Sequence, residues 1–402
     1  VLGEDGCGLI VKEVNLIGGY SVSERGLEDR EMPKRWFGLP RRLMSFLALF
    51  AVVAGLTAAC DFGGGPMSEL PLAGDVSLVG LGASFPAPLY TNWAVGLAQK
   101  HNQIRVDYQS QGSGAGIENF IQQNVDFAAS DIGLPEKDIP KIQRGVLMLP
   151  MTAGSIVVAY NVPGVPDGLK LTREAYVGIF SGQIRRWNDP KIAAANPGVN
   201  LPDQPITVVH RSDGSGTTAV FTKHLSAISP EWQRQFGEGT TIQWPKTGNF
   251  VGARGNEGVT AQIQQTAGAI GYVEYGYAKT NELNTAALEN KAGNFVQAGP
   301  ETGAATLAAV ELPENMLAFI SDPEGENSYP IVTYTWQLHY RQQPDPDKAV
   351  ALEVWIEYGL NEGQQVADSL GYIPLPKTVR ERIAKAADVI SDKYTITLKN
   401  AA

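Results

Sequence analysis

The stretch His210-Arg211-Ser212-Asp213-Gly214-Ser215-Gly216-Thr217-Thr218 sets a guanidinium, several hydroxyls and two glycines ahead of Val220, Phe221, His224 and Leu225, which follow at helical spacing. These are the parts of an oxyanion receptor. Amides unobstructed by side chains at Gly214 and Gly216 can wrap an anion, and the helix that follows points the positive end of its dipole at it. Arg211 offers a planar fork of donors suited to a tetrahedral oxyanion, and Asp213, two residues on, can hold that fork in place. Ser215, Gly216 and Thr217 add hydroxyls and amides. The same residues also make good N-cap and turn chemistry, so this motif alone does not decide its use.

Two more loop-to-helix junctions have the same character. In Gly82-Ala83-Ser84-Phe85-Pro86-Ala87-Pro88 the prolines can occupy a first helical turn at no hydrogen-bond cost, leaving the Ser84 and Phe85 amides to face a ligand. In Gln111-Gly112-Ser113-Gly114-Ala115-Gly116 a glycine-rich turn carrying Ser113 joins a strand to a helix marked by Ile117, Phe120 and Ile121. A dinucleotide fingerprint needs G-x-G-x-x-G, and these glycines are spaced G-x-G-x-G.

Asp131 ends the apolar strand Val125-Asp126-Phe127-Ala128-Ala129-Ser130. A strand-end Asp is commonly a cap or turn former. Beside an anion it repels, unless the anion brings a proton to donate. Phosphate near neutral pH keeps at least one proton and sulfate has none, so Asp131 is the candidate for selectivity. A site built around a ligand proton can reject the analogue without it by about 10⁴-fold or more.

These segments resemble one family. Gly-Ala-Ser-Phe-Pro-Ala-Pro-Leu-Tyr (82–90), Tyr-Gln-Ser-Gln-Gly-Ser-Gly (108–114), Val-Asp-Phe-Ala-Ala-Ser-Asp (125–131), Arg-Ser-Asp-Gly-Ser-Gly-Thr (211–217) and Gly-Ala-Ile-Gly-Tyr-Val-Glu-Tyr (268–275) occur in the order found in substrate-binding proteins of high-affinity phosphate ABC transporters. The resemblance runs from about residue 76 to the C-terminus. It implies a two-lobed periplasmic-binding-protein type II fold, each lobe a mixed sheet flanked by helices, with hinge strands between the lobes. It implies that inorganic phosphate is held by Ser84, Phe85, Ser113, Asp131, Arg211, Ser215, Gly216 and Thr217, with Asp213 supporting from behind. It also implies delivery to a membrane permease. Ser84 stands where relatives often carry Thr, which keeps the hydroxyl, and the stretch 249–258 departs from the family pattern.

The elements that must position these residues read as α/β. Strands are expected at 76–81, 104–109, 126–130, 155–160 and 206–210 with helices between most of them, and further helices at 346–369 and 376–390. Asn161-Val162-Pro163-Gly164 is a plausible hinge, and 329–339 a return strand. Lobe I is therefore expected over 76–160 plus 331–402, and lobe II over 161–330. With 43% hydrophobic and 18% charged residues, the 402-residue chain can bury a sizeable core. Its formal net charge of −10 argues against nucleic acid as a partner. A monomer is expected.

The N-terminal part reads as an address. Arg41-Arg42 precede an apolar run over 43–59 that ends in Leu56-Thr57-Ala58-Ala59-Cys60, the form of a lipoprotein export signal with Cys60 as the lipidated residue. We expect 1–31 to be a spurious extension, 32–59 the signal and 60–75 a Gly/Pro-rich tether. The mature protein would then be periplasmic, or anchored by lipid to the outer face of the cytoplasmic membrane. Only Cys7 and Cys60 exist, and His101, His210, His224 and His339 are scattered, so neither a disulfide in the mature chain nor a metal or other cofactor is expected.

Other function classes fit less well. Trp187, Trp232, Trp244 and Trp336 are too widely separated to suggest a sugar platform and are expected to fill core. A secreted phosphate-ester hydrolase, or a binder of another oxyanion, is the alternative reading. The hydrolase would want a G-x-S-x-G elbow, which neither Gly112-Ser113-Gly114 nor Gly214-Ser215-Gly216 supplies, and a base better placed than His210 beside Arg211.

Overall fold

The computed structural model describes residues 70–399. The N-terminal extension, the export signal, Cys60 and the tether up to residue 69 lie outside the described residues. Strands form in chain order as β1 (Val76–Gly82), β2 (Ile104–Ser110), β3 (Phe127–Ser130), β4 (Val146–Asn161), β5 (Lys170–Leu171) and β6 (Thr207–Arg211). They continue as β7 (Asn249–Ala253), β8 (Ala269–Glu274), β9 (Asn284–Thr285), β10 (Ala287–Glu289), β11 (Phe295–Val296) and β12 (Val332–Tyr340). β1 starts with alternating burial, whereas β3, β8 and β12 are buried at every position, because helices cover both faces of the sheet there.

The main sheet runs β2-β1-β3-β12-β4-β8-β6-β7, with β9 also on β4. β4 is the shared element. Its first part, through Ser155, pairs antiparallel with β12, and from Ile156 onward it pairs antiparallel with β8. Parallel pairs β1·β2 and β1·β3 lie to one side of it, and β6·β7 and β6·β8 to the other. The outcome is a two-lobed α/β fold in which β4 and β12 run through the middle. Pro150 sits inside this central strand, where it cannot donate to the ladder, and the β12–β4 register shifts beside it, between Thr335 and Trp336.

Parallel strands aim their C-terminal ends the same way, and in both lobes those ends carry the loops that start the helices Ala87–Lys100, Ser113–Ile121, Gly216–Ile228 and Gly255–Gln265. Ligand sites of open α/β sheets form at such ends. Beneath them the core of lobe I is aromatic: Tyr90, Trp93, Phe127 and Trp355 are fully buried, with Tyr90 and Trp93 centroids 5.1 Å apart and Trp93 and Trp355 5.7 Å apart. Trp187, Trp232 and Trp336 are buried too, and the indole N–H of Trp187 and of Trp336 donates to a backbone carbonyl.

Several elements differ from the sequence reading. β4 begins at Val146, well before the expected start at 155, because its earlier half continues the ladder with β12 across Pro150. The helix expected over 346–369 breaks at Asn361, whose backbone (φ −107°, ψ −93°) is not helical, giving Pro346–Leu360 and Glu362–Ala367. Asn361 instead ties down the C-terminal segment, donating to the Thr397 carbonyl and accepting from the Lys399 amide. β7 and β8 complete lobe II and were not among the expected strands.

Candidate functional site

On the lobe I side, β1 ends in a turn carrying Ser84 and Phe85. The Ser84 carbonyl accepts the Tyr277 hydroxyl and the Phe85 carbonyl accepts the Tyr372 hydroxyl, both at 2.7 Å. These bonds fix the turn from two directions. β2 ends at the loop leading to Ser113, and Gly112 must be glycine there. Its φ is +91°, and a Cβ would lie 2.7 Å from the Gly214 carbonyl of the facing loop. The fully buried Ser113 hydroxyl accepts the Asp131 amide at 3.3 Å and the Gly216 amide at 3.1 Å. Asp131 follows β3, and its oxygens accept the hydroxyls of Thr335 at 2.8 Å and Thr217 at 3.4 Å.

On the lobe II side, β6 ends at Arg211. Its Nε donates to Asp213 Oδ1 at 2.7 Å while Nη2 donates to Oδ2, so Asp213 chelates the guanidinium edge. Nη1 reaches toward Thr217 Oγ1 at 3.5 Å. The Arg211 amide donates to the Tyr272 hydroxyl, which in turn bonds the Thr218 hydroxyl at 2.6 Å. Ser215 caps the helix Gly216–Ile228 by accepting the Thr218 amide at 3.0 Å. A Cβ on Gly216 would fall 2.7 Å from the Asp131 Cβ, so only glycine allows this helix start to approach the other wall. The Gly114 amide donates to the Gly214 carbonyl at 2.9 Å, and the two glycine-rich loops touch backbone to backbone.

All eight residues expected at the site, Ser84, Phe85, Ser113, Asp131, Arg211, Ser215, Gly216 and Thr217, are buried and converge where the strand ends meet. Asp213, half-buried behind Arg211, also accepts the Gly255 amide at 3.1 Å. The set is rich in N–H and O–H donors and holds one cation and one inward carboxyl, which suits an anion. Burial raises the Asp131 carboxyl to about 7, against the opposing pull of Thr335, Arg211 and Thr217. Burial also raises Asp213, but the Arg211 hydrogen bonds and charge outweigh it and hold this carboxyl below its usual range. His210 has its Nδ1 turned to the backbone. Its Nδ1 lies 2.9 Å from the Arg211 carbonyl, to which it can only donate, and its ring stacks on Trp244 at 4.8 Å.

Residues 70–362 match the model of the PBP superfamily domain. The chain is 41% identical over 310 residues to the phosphate-binding protein PstS of Pasteurella multocida, covering 76% of this chain and 88% of the relative. It is 34% identical over 389 residues to the phosphate-binding protein PstS of Methanocaldococcus jannaschii, covering 91% of this chain and all of the relative. The chain belongs to the PstS family of phosphate-binding proteins. Its fold is that of a high-affinity periplasmic phosphate-binding protein solved with phosphate (TM-score 0.64, 21% identity, 77% of this chain and 93% of that one). The phosphate-binding protein of Stenotrophomonas maltophilia is similar at TM-score 0.62, 21% identity and the same coverage.

The structure adds residues that sequence reasoning passed over: Thr335 on Asp131, Tyr272 on Arg211, and Asn256 between Ser84 and Thr217. Asn256 lies outside the quoted motifs, so no motif drew attention to it. Tyr272 and Glu274 sit inside the quoted 268–275 motif, but nothing in its spacing assigns them a partner.

Proposed function

We propose that this chain binds inorganic phosphate with high affinity outside the cytoplasm and delivers it to the permease of a phosphate ABC transporter. The observation that carries this reading is the pairing, in one buried site, of a chelated guanidinium and several hydroxyl and amide donors with a single inward carboxyl, Asp131. Donors alone would take any oxyanion. A carboxyl among them selects one that brings a proton, which phosphate does and sulfate does not. That the relatives in the family are named phosphate-binding proteins supports the same choice.

In this reading Ser84, Phe85, Ser113, Asp131, Arg211, Ser215, Gly216 and Thr217 contact the anion, and Asp213 holds Arg211 in line. Lobe I, 76–160 plus 331–402, closes on lobe II, 161–330, with the anion bridging them by a hinge motion. β4 changes partners from β12 to β8 at Ser155–Ile156, a few residues before the 160/161 boundary and the expected hinge at 161–164, so in this reading the hinge lies within β4 itself. In the same reading the protein acts as a monomer that binds without turnover, and the naming of its relatives as phosphate-binding proteins supports the absence of turnover. Cys60 carries a lipid that keeps the protein at the outer face of the membrane. Two acyl chains, rather than one, give stable anchoring.

Titration calorimetry with phosphate and with sulfate tests the function. Tight phosphate binding with sulfate weaker by orders of magnitude is expected, and equal affinities would return the site to a general oxyanion binder. Steady hydrolysis of a chromogenic phosphate ester by the purified protein would favour the hydrolase. Separately, Cys60→Ser is expected to abolish labelling by radioactive fatty acid while leaving phosphate binding unchanged.

A further inference from the structure

Asn256 lies in the first turn of the helix Gly255–Gln265 and is wholly buried. Each of its polar groups that can reach the site is used. Its side-chain amide donates to Ser84 Oγ at 2.9 Å and to Thr217 Oγ1 at 3.3 Å, and its backbone amide donates to Ser84 Oγ at 3.0 Å. Its Oδ1 accepts the Glu274 amide at 3.0 Å, which fixes the carboxamide so that its NH₂ faces the two hydroxyls. One side chain thus joins the turn after β1, the helix start after β6 and the end of β8.

The consequence falls on Ser84. A serine hydroxyl has one proton and two lone pairs. When two N–H groups of Asn256 occupy its acceptor side, the hydroxyl proton is left to point in a third direction, and Ser84 meets an incoming group only as a donor. Ser113 is treated in the same way by two backbone amides, those of Asp131 and Gly216. At Ser113 the backbone imposes the polarity. At Ser84 one backbone amide and one side-chain NH₂ share the task, both from Asn256 on the opposite wall of the site.

We infer that Asn256 is a positioning residue for anion binding: it holds the Ser84 hydroxyl as a donor and couples that state to the meeting of the two walls. The inference rests on the phosphate reading above and predicts a dependence that a merely structural asparagine would not produce. Removing the NH₂ group leaves only the backbone amide on Ser84 and lets the hydroxyl turn its second lone pair toward the anion. Replacing it by a carboxylate oxygen invites Ser84 to donate backward and places a second negative charge near the ligand.

The test is phosphate affinity and dissociation rate for wild type, Asn256→Ala, Asn256→Asp, Ser84→Ala and the double variant Ser84→Ala/Asn256→Ala, with thermal melting of each. Asn256→Ala is expected to bind phosphate about tenfold or more weakly, mainly through faster dissociation, and Asn256→Asp more weakly still. In the Ser84→Ala background, Asn256→Ala is expected to cost several-fold less than in wild type, because the hydroxyl it orients is gone. Equal costs in both backgrounds would overturn the inference. So would an Asn256→Asp protein that folds and binds like wild type, since Asp keeps the acceptor for Glu274 but loses the side-chain donors and adds a negative charge. If Asn256→Ala does not fold, Asn256→Asp against Ser84→Ala decides. A wild-type protein that fails to bind phosphate would instead sink the phosphate reading itself.

Discussion

Asp131 and Asp213 stand on the two walls of one site and are driven in opposite directions. Asp131, on the lobe I wall, is bonded to the neutral hydroxyls of Thr335 and Thr217, so burial dominates and its carboxyl rises to about 7. Asp213, behind the lobe II wall, is clamped by Arg211 and the Gly255 amide, and these outweigh burial to hold it low. The same side chain is thus a proton-sensitive acceptor in one place and a permanent counter-ion in the other. What separates them is the partner: hydroxyls soften the cost of a buried charge, whereas a guanidinium cancels it.

The sharpest way to break this contrast is to remove the cation. Arg211→Ala is expected to weaken phosphate binding by at least about 100-fold, since charge-assisted hydrogen bonds in a desolvated site contribute about 1.5–3 kcal/mol each and Asp213 is left unpaired beside the anion. Calorimetry checks it, and binding within about twofold of wild type would mean that Arg211 does not face the ligand.

Asp131→Asn sharpens the contrast from the other wall. The variant is expected to narrow phosphate-over-sulfate discrimination by about tenfold or more, because the amide no longer repels sulfate and can donate to it. The pH dependence follows from the raised carboxyl. Below about 7 Asp131 carries a proton it can donate to either anion, and above about 7 it is ionised and accepts only from an anion that still has a proton. Discrimination by wild type should therefore rise with pH through that range, and discrimination by Asp131→Asn should stay flat. Competition of sulfate against labelled phosphate at fixed ionic strength measures both.

Asp213→Ala is expected to have a smaller effect, about tenfold on phosphate affinity, because it releases the orientation of Arg211 without removing its charge. A loss as large as that of Arg211→Ala would show that Asp213 does more than orient.

A further effect is expected on stability without ligand, and its sign differs between the two walls. A carboxyl raised on folding contributes stability at low pH that is lost as pH rises from its ordinary value of 3.8 through about 7, so Asp131→Asn should gain on wild type over that window. A carboxyl lowered on folding contributes above 3.8 and loses that contribution as pH falls, so the deficit of Asp213→Asn should shrink in acid. Urea unfolding at a series of pH values reads both slopes, and parallel curves for the two variants would remove the contrast.

How far the sequence reached depended on distance along the chain. The glycine-rich turns, the fork at Arg211 with Asp213 two residues on, and the cap at Ser215 are short-range chemistry, and the structure forms each of these local bonds. The helix over 346–360 and the strands at 76–82 and 104–110 follow from apolar periodicity in the same way. The first half of β4 was harder to see, because Pro150 interrupts a pattern that only its antiparallel partner β12, nearly two hundred residues later, turns into a strand.

By itself, then, the chain showed glycine-rich turns, hydroxyls, one guanidinium and one strand-end carboxyl with the chemistry of an oxyanion receptor, because these follow from residue type and local backbone chemistry. Only the tertiary structure decided what each of those residues leans on. Thr335 reaches Asp131 across 204 residues, Asn256 reaches Ser84 across 172, and Thr217 reaches Asp131 across 86. No spacing rule relates such pairs. They arise where a parallel-strand topology brings separate strand ends together, and the partners met there set whether a buried carboxyl is neutral or charged and which way a hydroxyl points.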